Sequence, residues 1–125
     1  MNASKLIIVV TAAVYFIYGI AFTFAPESLS QIVTGSVPSS TSGLIDMRAT
    51  YGGMSIAIGI LLYILSRSEV RLGLIGVVIF LSSMALTRAY GMVVDGEANT
   101  YMYAYLALEV VVAIIAGLLL RRTDQ

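Results

Sequence analysis

The sequence predicts an all-α fold, an integral membrane four-helix bundle with its N- and C-termini both in the cytoplasm. Three observations carry that prediction. Of 125 residues, 59% are hydrophobic and 11% charged, against about 45–50% and about 25% in an ordinary soluble domain. The mean hydropathy of +0.96 agrees. A soluble chain this short leaves too much of its surface exposed to hide so much apolar area in one core, so lipid has to be part of the solvent. The apolar residues also gather into four stretches, and the basic residues fall at one set of their ends.

The four stretches are Leu6–Phe24, Leu44–Leu65, Leu72–Val94 and Tyr101–Leu120, within a single four-helix domain spanning residues 1–125. At a rise of about 1.5 Å per residue each matches a hydrocarbon core of about 30 Å. Spanning strands are much shorter and alternate strictly, which excludes a barrel. The first stretch is longer than the apolar segment of a signal peptide, and Pro26 follows directly on the only small-residue cleavage pattern, so a retained helix is expected. Pro26 suits the first turn of a short helix over 26–34, where Glu27, Ser28 and Gln31 alternate with Leu29, Ile32 and Val33. That pattern fits an amphipathic turn at the membrane surface. The run from Gly35 to Gly43, rich in Ser with Pro38 inside it, is expected to be irregular. Ser66–Arg71 reads as a tight charged loop, and Asp95–Thr100 as a turn that ends on Asn99 or Thr100 as helix cap.

Lys5, Arg67, Arg71, Arg121 and Arg122 lie at the N-terminus, the second loop and the C-terminus, whereas the first and third loops carry Glu27, Asp95 and Glu97 and no basic residue. The positive-inside rule then places both termini in the cytoplasm. Gly52, Ser55 and Gly59 share one helical face of the second stretch. Small-residue faces let membrane helices approach closely, and packing within the bundle accounts for this one more simply than a dimer seam.

Composition excludes several functions. Net charge is zero and the longest basic run is Arg121-Arg122, which leaves no footprint for nucleic acid. The chain has no Cys and no His, so thiolate metal sites, the usual haem and zinc ligands, and the usual general base near neutral pH are missing. No cofactor is expected.

The informative residues are charges within the apolar stretches: Arg48, Arg88 and Glu109, with Asp46 just outside them. By helical rise Arg48 sits roughly 6 Å, Arg88 about 10 Å and Glu109 about 12 Å from the outer ends of their helices. All three fall in the outer half. A lone charge at such depth costs about 2.5–3.5 kcal/mol on insertion scales, and intramembrane ionisable groups are functional by default. The expected arrangement is an outward-facing Arg/Glu/Tyr pocket among the second, third and fourth helices, with Arg48 and Arg88 partnering Glu109. Tyr51, Tyr90 and Tyr105 fit either the lining of that pocket or an interfacial aromatic belt, and the belt accounts for Tyr101 and Tyr103. An ion-pair network that only fixes helix packing fits the same charges.

The string Asp46-Met47-Arg48-Ala49-Thr50-Tyr51-Gly52-Gly53, with Gly59 following, resembles the R-A-x-Y-G-G opening of helix two in a group of small bacterial four-helix membrane proteins. Arg88, Asp95-Gly96, Glu109 and Pro26 fit the same pattern. The group is an uncharacterised domain-of-unknown-function family that is similar to the DoxX-like proteins. The resemblance covers nearly the whole chain and implies a multi-pass protein of the bacterial inner membrane, with Arg48, Tyr51, Gly52, Gly53, Arg88 and Glu109 as signature positions.

Three functions follow as expectations. One is binding of a small amphipathic or anionic ligand, or a lipid head group, by Arg48, Arg88, Glu109, Tyr51, Tyr90, Tyr105 and Asp46. A second is an intramembrane isomerase-type enzyme in which Glu109 is the catalytic acid or base. A third is an accessory subunit of a membrane redox complex, with homo-oligomers also open. A small multidrug-type exporter fits less well, because the acidic residue essential to that class lies in the first helix and none is present there.

Overall fold

In a computed structural model, which describes residues 1–123, the chain folds into five helices. They are α1 (Ala3–Phe24), α2 (Pro26–Thr34), α3 (Thr41–Ser68), α4 (Val70–Asp95) and α5 (Thr100–Thr123). All but α2 are long and apolar enough to cross a membrane. Each start has a chemical cause. The Asn2 side chain accepts the Lys5 amide, Pro26 opens α2, the Ser40 hydroxyl accepts the Gly43 amide, and the Asn99 side chain accepts the Met102 amide. Gly35 ends α2 in the left-handed region, at φ 77°.

The helices overrun the apolar stretches in informative places. The α3 helix begins at Thr41 because Ser40 caps it, so the irregular segment ends earlier than the Ser-rich run does. At its other end the expected loop Ser66–Arg71 shrinks to Glu69 alone. The serines there do not break the helix, because Ser66 donates to the Tyr63 carbonyl and Ser68 to the Ile64 carbonyl. The α2 helix keeps its expected bounds but turns Pro26, Ser30 and Val33 onto the bundle, leaving Ile32 exposed.

Residue pairings give the topology. Thr23 meets Gly52 and Ala12 meets Gly59, so α1 and α3 run antiparallel. Gly73 meets Ile8 and Met84 meets Tyr15, so α1 and α4 run parallel. The short turn Gly96–Asn99 makes α4 and α5 an antiparallel hairpin. One end of the bundle therefore gathers Lys5, Arg67, Arg71, Arg121 and Arg122, and the other gathers Glu27, Asp46, Asp95 and Glu97. The apolar core, built on Ile8, Leu62, Leu74, Val77 and Ala116, fills the basic half.

The contact between α1 and α3 depends on glycine. A Cβ on Gly19 would stand 2.6 Å from the Gly52 carbonyl oxygen and 2.7 Å from the Ile56 amide nitrogen, both backbone atoms that no rotamer change can move. Gly52 in turn leaves room for Thr23, which confirms that the small face of α3 serves packing within the chain. Gly53 faces open space. The Gly19→Ala variant is therefore expected to lose about 1–3 kcal/mol of stability through overpacking. Gly53→Ala should be neutral or gain as much as ~1 kcal/mol from helix propensity. Unfolding titrations of the two variants in mixed micelles measure the contrast.

Candidate functional site

The acidic half of the bundle holds what the apolar core does not. Along α5, Met102, Tyr105 and Glu109 recur at helical spacing on one face, and Arg88 of α4 lies against all three. Its Nε donates to both carboxylate oxygens of Glu109, at 3.2 and 3.0 Å, and Nη2 donates to Oε1 at 2.6 Å. Nη1 reaches the Met102 sulfur at 3.4 Å, and the guanidinium carbon stands 5.2 Å from the centre of the Tyr105 ring. Glu109 is buried and Arg88 is 18% exposed at its side chain. A two-point fork of this kind is the strong form of carboxylate binding, and it cancels both charges where neither is well solvated.

From this pair a file of rings crosses the bundle. Tyr105 meets Tyr18 edge-on at 6.4 Å, Tyr18 meets Phe22 at 4.7 Å, and Phe22 meets Tyr51 at 5.3 Å. Tyr15, one turn earlier on α1, donates its hydroxyl to the Met84 sulfur at 2.7 Å. Phe22 is wholly buried while Tyr51 is 44% exposed, so the file opens at the surface of α3.

Arg48 stands at that opening. Its Nη1 donates to the Thr23 carbonyl oxygen in the last turn of α1. Carbonyls there lack an intrahelical donor and form the negative end of the helix dipole, so a cation is well placed. Arg48 is exposed, and no carboxylate lies within ion-pair distance of it among the described residues. It also begins a π-helical stretch, Arg48–Met54, that contains Tyr51, Gly52 and Gly53. Such wider turns are rare and occur often at functional sites.

The expected trio of Arg48, Arg88 and Glu109 is thus divided: Arg88 alone takes Glu109, and Arg48 binds a backbone carbonyl instead. Tyr105 and Tyr51 join the two ends of the ring file. Tyr90 is 70% exposed and lies away from the pair, because two residues along a helix rotate a side chain by about 200°. Asp46 is exposed on α3, and its side chain makes no hydrogen bond or ion pair with a described residue. Tyr15, Tyr18 and Phe22 of α1 are the residues that sequence reasoning left out of the site. Their i, i+3, i+7 spacing on one face was the available signal. Among the described residues no three Asp or Glu side chains come together in a group able to hold a metal ion. An apolar groove of about 360 Å³ between Ala12, Phe16, Gly59 and Tyr63 lies in the other half of the molecule.

Removing one partner of a buried ion pair strands the other. Arg88→Leu and Glu109→Leu are each expected to cost about 3–5 kcal/mol, and the double substitution to cost less than either alone. A double-mutant cycle on unfolding in mixed micelles checks this, and simple additivity would mean that the pair is uncoupled.

Three comparisons place the chain among known proteins. No curated protein and no solved structure matches it. A family model does match, over residues 3–120, and the chain belongs to that family, described as a domain of unknown function, DUF4345.

Proposed function

We propose that the chain is a multi-pass protein of the bacterial inner membrane, with both termini in the cytoplasm, that holds the head group of an anionic or strongly polar amphiphile at Arg48. The apolar exterior of all four long helices supports a lipid setting. The separation of basic from acidic ends supports the orientation, with the acidic end outward. The bacterial assignment and the kinship with DoxX-like proteins rest on the sequence resemblance.

One observation carries the binding reading: of the two arginines in the acidic half, Glu109 neutralises only Arg88. Arg48 keeps its charge, spends one donor on the Thr23 carbonyl, and retains further N–H groups toward the surface. Guanidinium in that state is a receptor for carboxylate or phosphate. Tyr51, packed on buried Phe22, supplies an aromatic wall, and exposed Phe24 and Ile45 supply apolar surface for a tail.

The enzyme reading asks more of the site. Both oxygens of Glu109 are engaged by Arg88, so acid or base work would first require the pair to part. An accessory-subunit role would use the exposed surface of α5, a helix in which only Glu109 and Ala116 are buried among the described residues.

The chain contains no Cys, so single cysteines report topology without background. With the acidic end outward, a membrane-impermeant maleimide labels Ser39→Cys in intact cells and Ser68→Cys only after permeabilisation. The reverse pattern would invert the orientation. Purified wild-type protein should carry a co-purifying amphiphile by mass spectrometry, and Arg48→Gln should lose it while keeping the fold. Equal recovery from both proteins would remove the binding role.

A further inference from the structure

We infer that a lipid site lies at the basic end, where the apolar groove between α1 and α3 takes an acyl chain of an anionic phospholipid and Lys5 and Arg67 hold its phosphate. The inference rests on the membrane setting proposed above and is independent of Arg48.

The groove exists because small residues line its middle. Ala12 and Ala13 of α1 and Gly59 of α3 leave about 360 Å³, bounded by Phe16, Ile60 and Tyr63. A Cβ on Gly59 would stand 2.8 Å from the Ala12 carbonyl oxygen, so the floor of the groove is backbone against backbone. Ala13, Phe16, Ile60 and Tyr63 are exposed, so the groove opens on the outside of the bundle. Hydrocarbon is the chemistry that fills an apolar space of this kind.

Charge at one end of the groove identifies the head group. At about 100° per residue, Val9, Ala12, Ala13 and Phe16 span an arc of roughly 100° on α1, and Lys5 falls inside it. On α3 the lining residues Gly59, Ile60 and Tyr63 span a similar arc, and Arg67 falls inside that one, about 40° from Tyr63. The helices run antiparallel with Ala12 and Phe16 against Gly59. Counting outward from that contact brings Lys5 level with the last turn of α3, which holds Arg67. Both cations thus continue the walls of the groove at the same end. Neither forms an ion pair with a described residue, and Glu69, in the link to α4, pairs with neither. Arg71, Arg121 and Arg122 belong to α4 and α5, which contribute nothing to the lining. An apolar groove ending at two such cations complements an acyl chain that ends at a phosphate. Two positive charges favour a phosphodiester with net negative charge over one offset by its own ammonium.

Depth fits one leaflet. From Lys5 to Phe16 the helix rises about 16 Å, against about 30 Å for a hydrocarbon core. The site therefore covers half the membrane, as one phospholipid does, and the lining on α1 stops at Phe16. A helix from a second copy would follow α1 along its full length.

The test offers purified protein in detergent equal amounts of phosphatidylglycerol and phosphatidylethanolamine with identical acyl chains, read by native mass spectrometry. Wild type is expected to retain phosphatidylglycerol about fivefold or more over phosphatidylethanolamine, the factor that one basic residue near a membrane surface supplies. Lys5→Gln/Arg67→Gln should bring the ratio to near unity. Arg121→Gln/Arg122→Gln, at the same end but off the groove, should leave it in place. Ala13→Leu narrows the groove from an exposed position and should lower phosphatidylglycerol retention several-fold with the thermal midpoint unchanged. Glycerophosphoglycerol offers the phosphate without a chain and should fail to displace the lipid; full displacement would overturn the part played by the groove. Equal loss in the two double variants would overturn the site in favour of general surface charge. A dimer in the native spectrum that Ala13→Leu dissociates would assign the groove to a second copy and overturn the lipid. A wild-type ratio near unity would overturn the anionic head group and leave the membrane setting standing. Protein that stayed monodisperse without detergent would remove the membrane setting itself.

Discussion

Where Gly19 of α1 meets the Gly52 carbonyl of α3, less than one methyl group separates the two backbones. In water such a contact would be one among many that apolar burial holds together. On the membrane reading proposed above, the surrounding lipid would be as apolar as the side chains, so association would depend on how closely surfaces fit. The approach at Gly19 and Gly52 fixes the height of α3 against α1. It thereby brings Thr23 to Arg48 and Phe22 to Tyr51, the two contacts that define the mouth of the site. The π-helical stretch spans this same level, so the irregular backbone of α3 sits at its tightest contact.

The other helix pair is joined differently. The α4–α5 hairpin is clasped by Arg88 and Glu109, and its charges are satisfied by each other and by the neighbouring Tyr105 and Met102. Steric fit on one side of the molecule and electrostatic neutralisation on the other meet through the Tyr18–Tyr105 contact. At the acidic end Asn99 adds a second link, donating to the Val33 carbonyl at 2.8 Å while it caps α5. The α2 helix is thus tied to the far hairpin as well as to its own.

Much of this was legible in the sequence. Hydropathy located the four long helices to within three residues at every described end, because apolar length is the property that a membrane span must have. Pro26 located α2 for a local reason. The pairing of Arg88 with Glu109 followed from their shared depth. Arg48 did not go with them because depth says nothing about azimuth. Its partner is a backbone carbonyl, which every residue has and which no composition marks. Tyr15 and Tyr18 of α1 share the depth of the charges but were left out of the site, with Phe22, for a related reason: charge marked the other helices, and α1 has none inside its span. Tyr90 was misplaced because nearness in sequence is not nearness in space when helix rotation separates two residues by more than a right angle.

On the membrane reading proposed above, the clasp between Arg88 and Glu109 bears on how the chain would enter a bilayer. The two residues sit on helices joined by a four-residue turn. Neither helix can cross alone without carrying a bare charge into hydrocarbon, but the closed hairpin carries none. Biogenesis of this half would then proceed by insertion of α4 and α5 as one neutral unit, with the ion pair formed at the translocon. The half built from α1 and α3, with no charge deeper than Arg48, is free to insert one helix at a time.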